Sequence, residues 1–169
     1  SYFFLSLGFF HAPKIRRIWV SCCCIADHRP MTPHTSFPVD HIGIAVSDLS
    51  EAIAHYTSVF GQGPDHLETL EAQGVSVAFF TTPTSSVELL SPWGEHSPIA
   101  KFLDKKGPGL HHMAYLVPKE QYLAEIKRLT DLGLKPLTPS PTSGAKGKLV
   151  QFFHPRENQG VLMELCSYK

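Results

Sequence analysis

The strongest constraint on this chain is that it repeats itself. "VDHIGIAVSDLSEAIAHYTSVFG" (39–61) reads as an alternating strand, then Asp48 with Glu51 three residues on as a capping box. Leu49, Ile53, Tyr56 and Phe60 follow at helical spacing, and Gly61 stops the helix. "LHHMAYLVPKEQYLAEIKRLTDLG" (110–133) does the same, with Pro118 near the helix start, Leu123, Ile126 and Leu129 on one stripe, and Gly133 at the end. After each helix come short apolar strands between turn residues, "VSVAFF" (75–80) and "SVELLS" (86–91), then "KLVQFF" (148–153) and "GVLMEL" (160–165). The predicted fold is therefore α+β: two tandem βαβββ modules, 37–96 and 107–169, forming one curved, cup-like, eight-stranded mixed sheet. A short helix that Ser97 caps and Pro98 begins joins them.

The repeat also selects residues. Superposing the halves places Asp40-His41 on His111-His112, so His112 is the partner of His41. Side chains alternate along a strand, so His111 and His112 are expected to face opposite ways, and His111 drops out. By the same parity His41 shares a face with Gly43 and Ala45, and His112 with Ala114, small residues that leave room for a ligand. Ile42, Ile44, Val46, Met113, Tyr115 and Val117 fill the other face, toward the helices. "VELL" then aligns with "MELC", which makes Glu88 and Glu164 equivalent on the last strand of each half. A carboxylate alone among apolar strand residues costs several kcal/mol, so it requires a cation or a hydrogen-bonding partner. Two histidines and two glutamates can converge on one ion. Taken singly, each residue is as well explained as a hydrogen-bonded histidine or a solvated glutamate, and the residues alone leave both readings open.

Composition narrows the function class. A 169-residue chain with 43% hydrophobic residues suits one compact domain. Lys plus Arg equal Asp plus Glu at 15 each, and no long charged block follows residue 36, so neither a nucleic-acid nor a membrane-surface binder is expected, and a small-molecule ligand is. Cys22, Cys23, Cys24 and Cys166 offer neither a disulfide framework nor a metal spacing, which fits a reducing compartment. Residues 1–36 read as an extension. They carry Lys14, Arg16 and Arg17 but no acid before Asp27, as in a transit peptide for the mitochondrial matrix. The other expectation is a true start at Met31 and a cytoplasmic protein. "SYFFLSLGFF" lacks the positive leader of a secretion signal, and no apolar run reaches the ~20 residues of a membrane span.

Five ordered stretches, "DHIGIAV", "HSPIAKFL", "GLHHMAY", "GAKGKLVQFFHP" and "GVLMEL", carry a resemblance to the vicinal oxygen chelate superfamily, and within it to the epimerases acting on methylmalonyl-CoA. The resemblance covers about 39–168 and implies a divalent metal, cobalt, manganese, nickel or zinc, held by His41, Glu88, His112 and Glu164. It implies proton abstraction beside a thioester, an enolate stabilised by the metal, and one base on each face of that enolate. Glu164 and Glu88 are the expected bases. Some members place a basic glutamate where this chain has Val77, so Glu68 and Glu71, in the segment before that strand, are further options. The acyl-CoA substrate's phosphates are expected at "SGAKGK", through Gly144, Lys146 and Lys148, with His154 at the mouth of the site. The resemblance also implies a homodimer. Rival readings are a glyoxalase I-type isomerase, an extradiol dioxygenase, disfavoured by the fourth ligand position, and a metal-free binding protein of the same fold.

Overall fold

A computed structural model of the chain describes residues 37–169. The expected extension, 1–36, and the start at Met31 lie outside the described residues. The first module holds β1 (Val39–Ala45), α1 (Leu49–Phe60), β2 (His66–Leu70), β3 (Val75–Thr81) and β4 (Ser86–Pro92). After α2 (Pro98–Lys106) the second holds β5 (Gly109–Leu116), α3 (Lys119–Asp131), β6 (Thr142–Ser143), β7 (Lys148–Phe153) and β8 (Met163–Tyr168). The eight strands form one mixed sheet in the order β2-β3-β4-β1-β5-β8-β7-β6. Within each module the first and last strands run parallel, β1 with β4 and β5 with β8. The modules join where β1 and β5 pair antiparallel. The sheet curls as a half-barrel until its outer edges touch: the Glu68 carboxylate accepts from the Lys146 backbone N–H at 3.0 Å, and the Gln73 amide donates to the Ser143 carbonyl.

Helix ends follow the sequence. Asp48 accepts from the Glu51 N–H at 2.9 Å, half of the expected capping box, and Gly61 ends α1 in the left-handed conformation (φ 72°). Ser97 caps α2 by accepting from Ile99 N–H at 3.2 Å. On the convex face Leu49, Ile53 and Tyr56 of α1 cover Ala78, Phe80 and Leu89, while Tyr122 and Leu129 of α3 cover Val117, Phe153 and Leu165. On the concave face α2 plugs the first module, packing Ile99, Phe102 and Leu103 on Ala45, Val77 and Leu90. No hydrophobic run marks β2 or β6: β2 is an edge strand with every second residue exposed, and β6 is two residues long. Among the described residues no helix is long and apolar enough to cross a membrane.

Candidate metal centre

His41 and His112 stand on the two central strands, and Glu88 and Glu164 on the strands flanking them. Register makes the halves equivalent: Glu88 pairs with Gly43, two residues past His41, and Glu164 with Ala114, two past His112. All four side chains meet at the module junction with exposures of 5%, 1%, 5% and 3% for His41, His112, Glu88 and Glu164. The two Nε2 atoms lie 3.0 Å apart. From Glu88 Oε2 each Nε2 is 3.4 Å away, and from Glu164 Oε2 they are 3.6 Å (His41) and 3.2 Å (His112). Donors held on one ion by bonds of about 2.0–2.2 Å, at tetrahedral or octahedral angles, stand roughly 2.8–3.6 Å from each other. His41, Glu88 and His112 form a set that fits a divalent ion, their ligand atoms all within 4.8 Å of one another, and Glu164 Oε2 stands beside both imidazoles. Phe79 and Phe152, the cross-strand partners of Glu88 and Glu164, pack edge-on against His41 and His112 with ring centroids 5.7 and 5.3 Å away.

Strict strand parity fails at both histidines. The β1–β5 register slips by one residue between Val39 and His41, which leaves Asp40 unpaired, and slips again opposite Gly43 and Ile44, which leaves His111 unpaired. A bulge of this kind re-aims a side chain. Asp40 Oδ2 therefore lies 2.7 Å from His41 Nδ1, and His111 Nδ1 lies 2.9 Å from His112 Nδ1. His111, which alternation sets aside, touches the site through His112. Asp40 is a site residue that the sequence reading did not single out, although its alignment with His111 in the repeat was a signal for both. The small residues make room for side chains of this chain rather than for a ligand: a Cβ on Gly43 would stand 2.2 Å from the His112 ring.

Burial alone would lower the His41 pKa; the Asp40 hydrogen bond and those with Glu164 and Glu88 override it and push it up to about 11. His112 is also raised, against burial, by Glu164 and Glu88. The same contacts hold both glutamates below the usual carboxylate range despite burial. Burial and the neighbouring His112 charge push His111 down to about 4. A second grouping, Asp40, His41 and Cys166, is a poorer donor set, because burial pushes the Cys166 thiol up and keeps it protonated.

The family model of the glyoxalase/bleomycin resistance protein/dioxygenase superfamily matches residues 40–152. The chain belongs to that superfamily. The ethylmalonyl-CoA/methylmalonyl-CoA epimerase of Cereibacter sphaeroides is 42% identical over 129 residues, 75% of this chain and 95% of that protein. The methylmalonyl-CoA epimerase structure from Mycobacterium tuberculosis superposes with a TM-score of 0.72 at 35% identity, over 78% of this chain and 88% of that one. A variant of the Streptomyces coelicolor methylmalonyl-CoA epimerase in complex with 2-nitronate-propionyl-CoA superposes with a TM-score of 0.72 at 34% identity, over 79% and 96%. The half-barrel of this chain is the superfamily's fold.

The remaining expected residues of this superfamily member fall around that centre. Val77 is buried on β3, and Glu68 is its cross-strand partner on β2. Glu68 also stands 2.9 Å from His66 Nε2. Glu71 is exposed, in the turn after β2. Gly144 and Lys146 line a small cavity of about 40 Å³ with His41, Glu88 and Glu164, and the Lys146 ammonium lies 4.1 Å over the Phe79 ring. Lys148, expected at the phosphates, is instead turned inward: it donates to both Asp40 oxygens at 2.6 and 2.7 Å and is 7% exposed. His154 is half exposed and lines a separate cleft of about 710 Å³ with Lys101, Lys105, Lys106, His111 and His112.

Proposed function

We propose that the protein is a metal-dependent epimerase that interconverts (R)- and (S)-methylmalonyl-CoA. One observation carries the reading: a buried pair of histidines and pair of glutamates at the module junction, in the fold and sequence family of methylmalonyl-CoA epimerases. His41, His112, Glu88 and Glu164 hold a divalent ion, and two imidazoles with two carboxylates suit cobalt, manganese, nickel or zinc. When bound, the ion supplies Lewis-acid stabilisation of the negative charge that grows on the thioester oxygen as the α-proton leaves. The chain supplies the rest. Glu164 takes the proton from one face of the α-carbon and Glu88, its counterpart from the other module, serves the opposite face, since inversion requires a base on each. Glu68, the cross-strand partner of Val77, is the alternative for the second role, ahead of the exposed Glu71. Burial keeps bulk water from protonating the enolate indiscriminately.

The coenzyme portion fits the cleft of about 710 Å³, whose wall carries Lys101, Lys105 and Lys106 for phosphates, with His154 at its edge. Gly144 and Lys146 then serve the acyl end, at the cup. We assign the active form as a homodimer, to be checked by light scattering. Residues 1–36, on which the choice between cytoplasm and mitochondrial matrix rests, lie outside the described residues. The deciding experiment incubates the metal-loaded protein with one epimer of methylmalonyl-CoA in deuterated water and follows α-deuterium and epimer ratio by NMR. Racemisation with deuterium uptake is expected. Turnover of methylglyoxal with glutathione, and none of methylmalonyl-CoA, would move the assignment to a glyoxalase I-type isomerase.

A further inference from the structure

We propose that Asp40 and His111 are paired positioning residues, each delivered by its own β-bulge to the Nδ1 of a metal-binding histidine, and that Lys148 completes the Asp40 arm. The proposal rests on the reading of His41, His112, Glu88 and Glu164 as metal donors. If Nε2 of each histidine faces the ion, Nδ1 must carry the proton and needs an acceptor. Asp40 Oδ2 is that acceptor for His41 at 2.7 Å, and His111 Nδ1 for His112 at 2.9 Å. Both sit in the same place in the repeat, immediately before the histidine they serve, and each is the one residue its strand inserts beyond register with the other. The repetition is what separates this from a chance contact. Without the bulge each side chain would point to the helix-covered face, and its histidine would be free to turn.

The two arms differ in chemistry but not in net charge. Asp40 is a carboxylate, and Lys148 holds both its oxygens at 2.6 and 2.7 Å, so that arm is a buried ion pair. His111 as an acceptor is neutral, and its ring packs edge-on against Phe102 of α2 with centroids 4.9 Å apart. Neither arm adds net charge beside the ion. The two glutamates alone match its two positive charges, which keeps an otherwise apolar centre close to neutral.

The test is cobalt binding to metal-free protein, followed by isothermal calorimetry and by the visible absorption of the bound ion, with the melting temperature of each metal-free variant as the folding control. His111→Phe keeps ring packing and removes the acceptor; Asp40→Asn weakens the acceptor on the other side. Each is expected to lower cobalt affinity about 10- to 100-fold, the usual effect of losing an outer partner of a ligand, and to shift the absorption band. In His111→Gly, added imidazole, entering through the cleft beside it, is expected to restore affinity. Should Asp40→Asn fail to fold because Lys148 is left unpaired, Asp40→Asn with Lys148→Met removes that charge and carries the same measurement. Unchanged affinity and spectrum in folded variants overturn the positioning role while leaving the metal reading intact. No cobalt binding by the unaltered protein overturns both.

Discussion

At position 43 a single hydrogen decides whether the site can exist. The His112 ring occupies the space a Cβ would take, 2.2 Å from its nearest ring atom, so Gly43→Ala must displace the imidazole. That variant is expected to stay folded yet lose at least about 10-fold in cobalt affinity, the scale of losing an outer support, as read by calorimetry. The four proposed donors are less forgiving: His41→Ala, His112→Ala, Glu88→Ala and Glu164→Ala should each empty the site in metal analysis and end turnover. Glu164→Gln keeps an oxygen donor but not a base, and proton exchange should fall about 10²- to 10⁴-fold. Exchange scored apart from inversion assigns the second base. Loss of inversion with retained deuterium wash-in is expected in Glu88→Gln; the same result in Glu68→Gln alone would move the role to the partner of Val77.

Elements explain why alternation misled at the histidines and served elsewhere. A strand holds side-chain parity only while its ladder is regular, and β1 and β5 each break theirs once, beside the histidine. Nothing in "VDHIG" or "LHHMA" announces a bulge, since it arises from the pairing of two strands about 70 residues apart and not from either sequence. Helix α2 was legible, because Ser-Pro marks its start, but its task was not: it fills the mouth of the first module instead of merely linking two. Ile99, 1% exposed under that helix, should therefore matter as a core residue does. Ile99→Ala is expected to cost about 2–5 kcal/mol in urea unfolding. Asp48→Ala, which removes only the cap of α1, should cost about 1 kcal/mol.

For the whole molecule, the buried cluster links stability, pH and metal. His41 is raised to about 11, so its contribution is complete below the ordinary 6.5 and is lost as pH climbs toward 11. Glu88 and Glu164 are lowered, so theirs is present above the ordinary 4.5 and is lost as pH falls below it. The metal-free protein should then owe most to the cluster between these limits, and each retained imidazolium should make stability decline by about 1.4 kcal/mol per pH unit above 6.5. Melting curves of the metal-free protein and of His41→Gln, compared from pH 5 to 10, test this; parallel profiles would refute it. Metal affinity must run the other way, strengthening with pH as the imidazolium protons leave. The described residues, 37–169, hold all eight strands and the buried cluster, so a chain beginning at Met31 is expected to melt and turn over like the 169-residue chain, as calorimetry and the epimerisation assay would show.

The repeat by itself determined the two modules, their helices and the equivalence of His41 with His112 and Glu88 with Glu164, because hydrophobic period and cap residues are local signals that a duplication states twice. Resemblance to known relatives added the chemistry. Only the tertiary structure decided how the halves meet: antiparallel through β1 and β5, with one residue of slack on each side of the junction. That slack turns Asp40 and His111 inward, draws Lys148 away from the surface onto Asp40, and gives the space beside Gly43 to an imidazole. Register between distant strands is fixed by the packing of both faces together, a property of the assembled sheet that no single stretch of sequence contains.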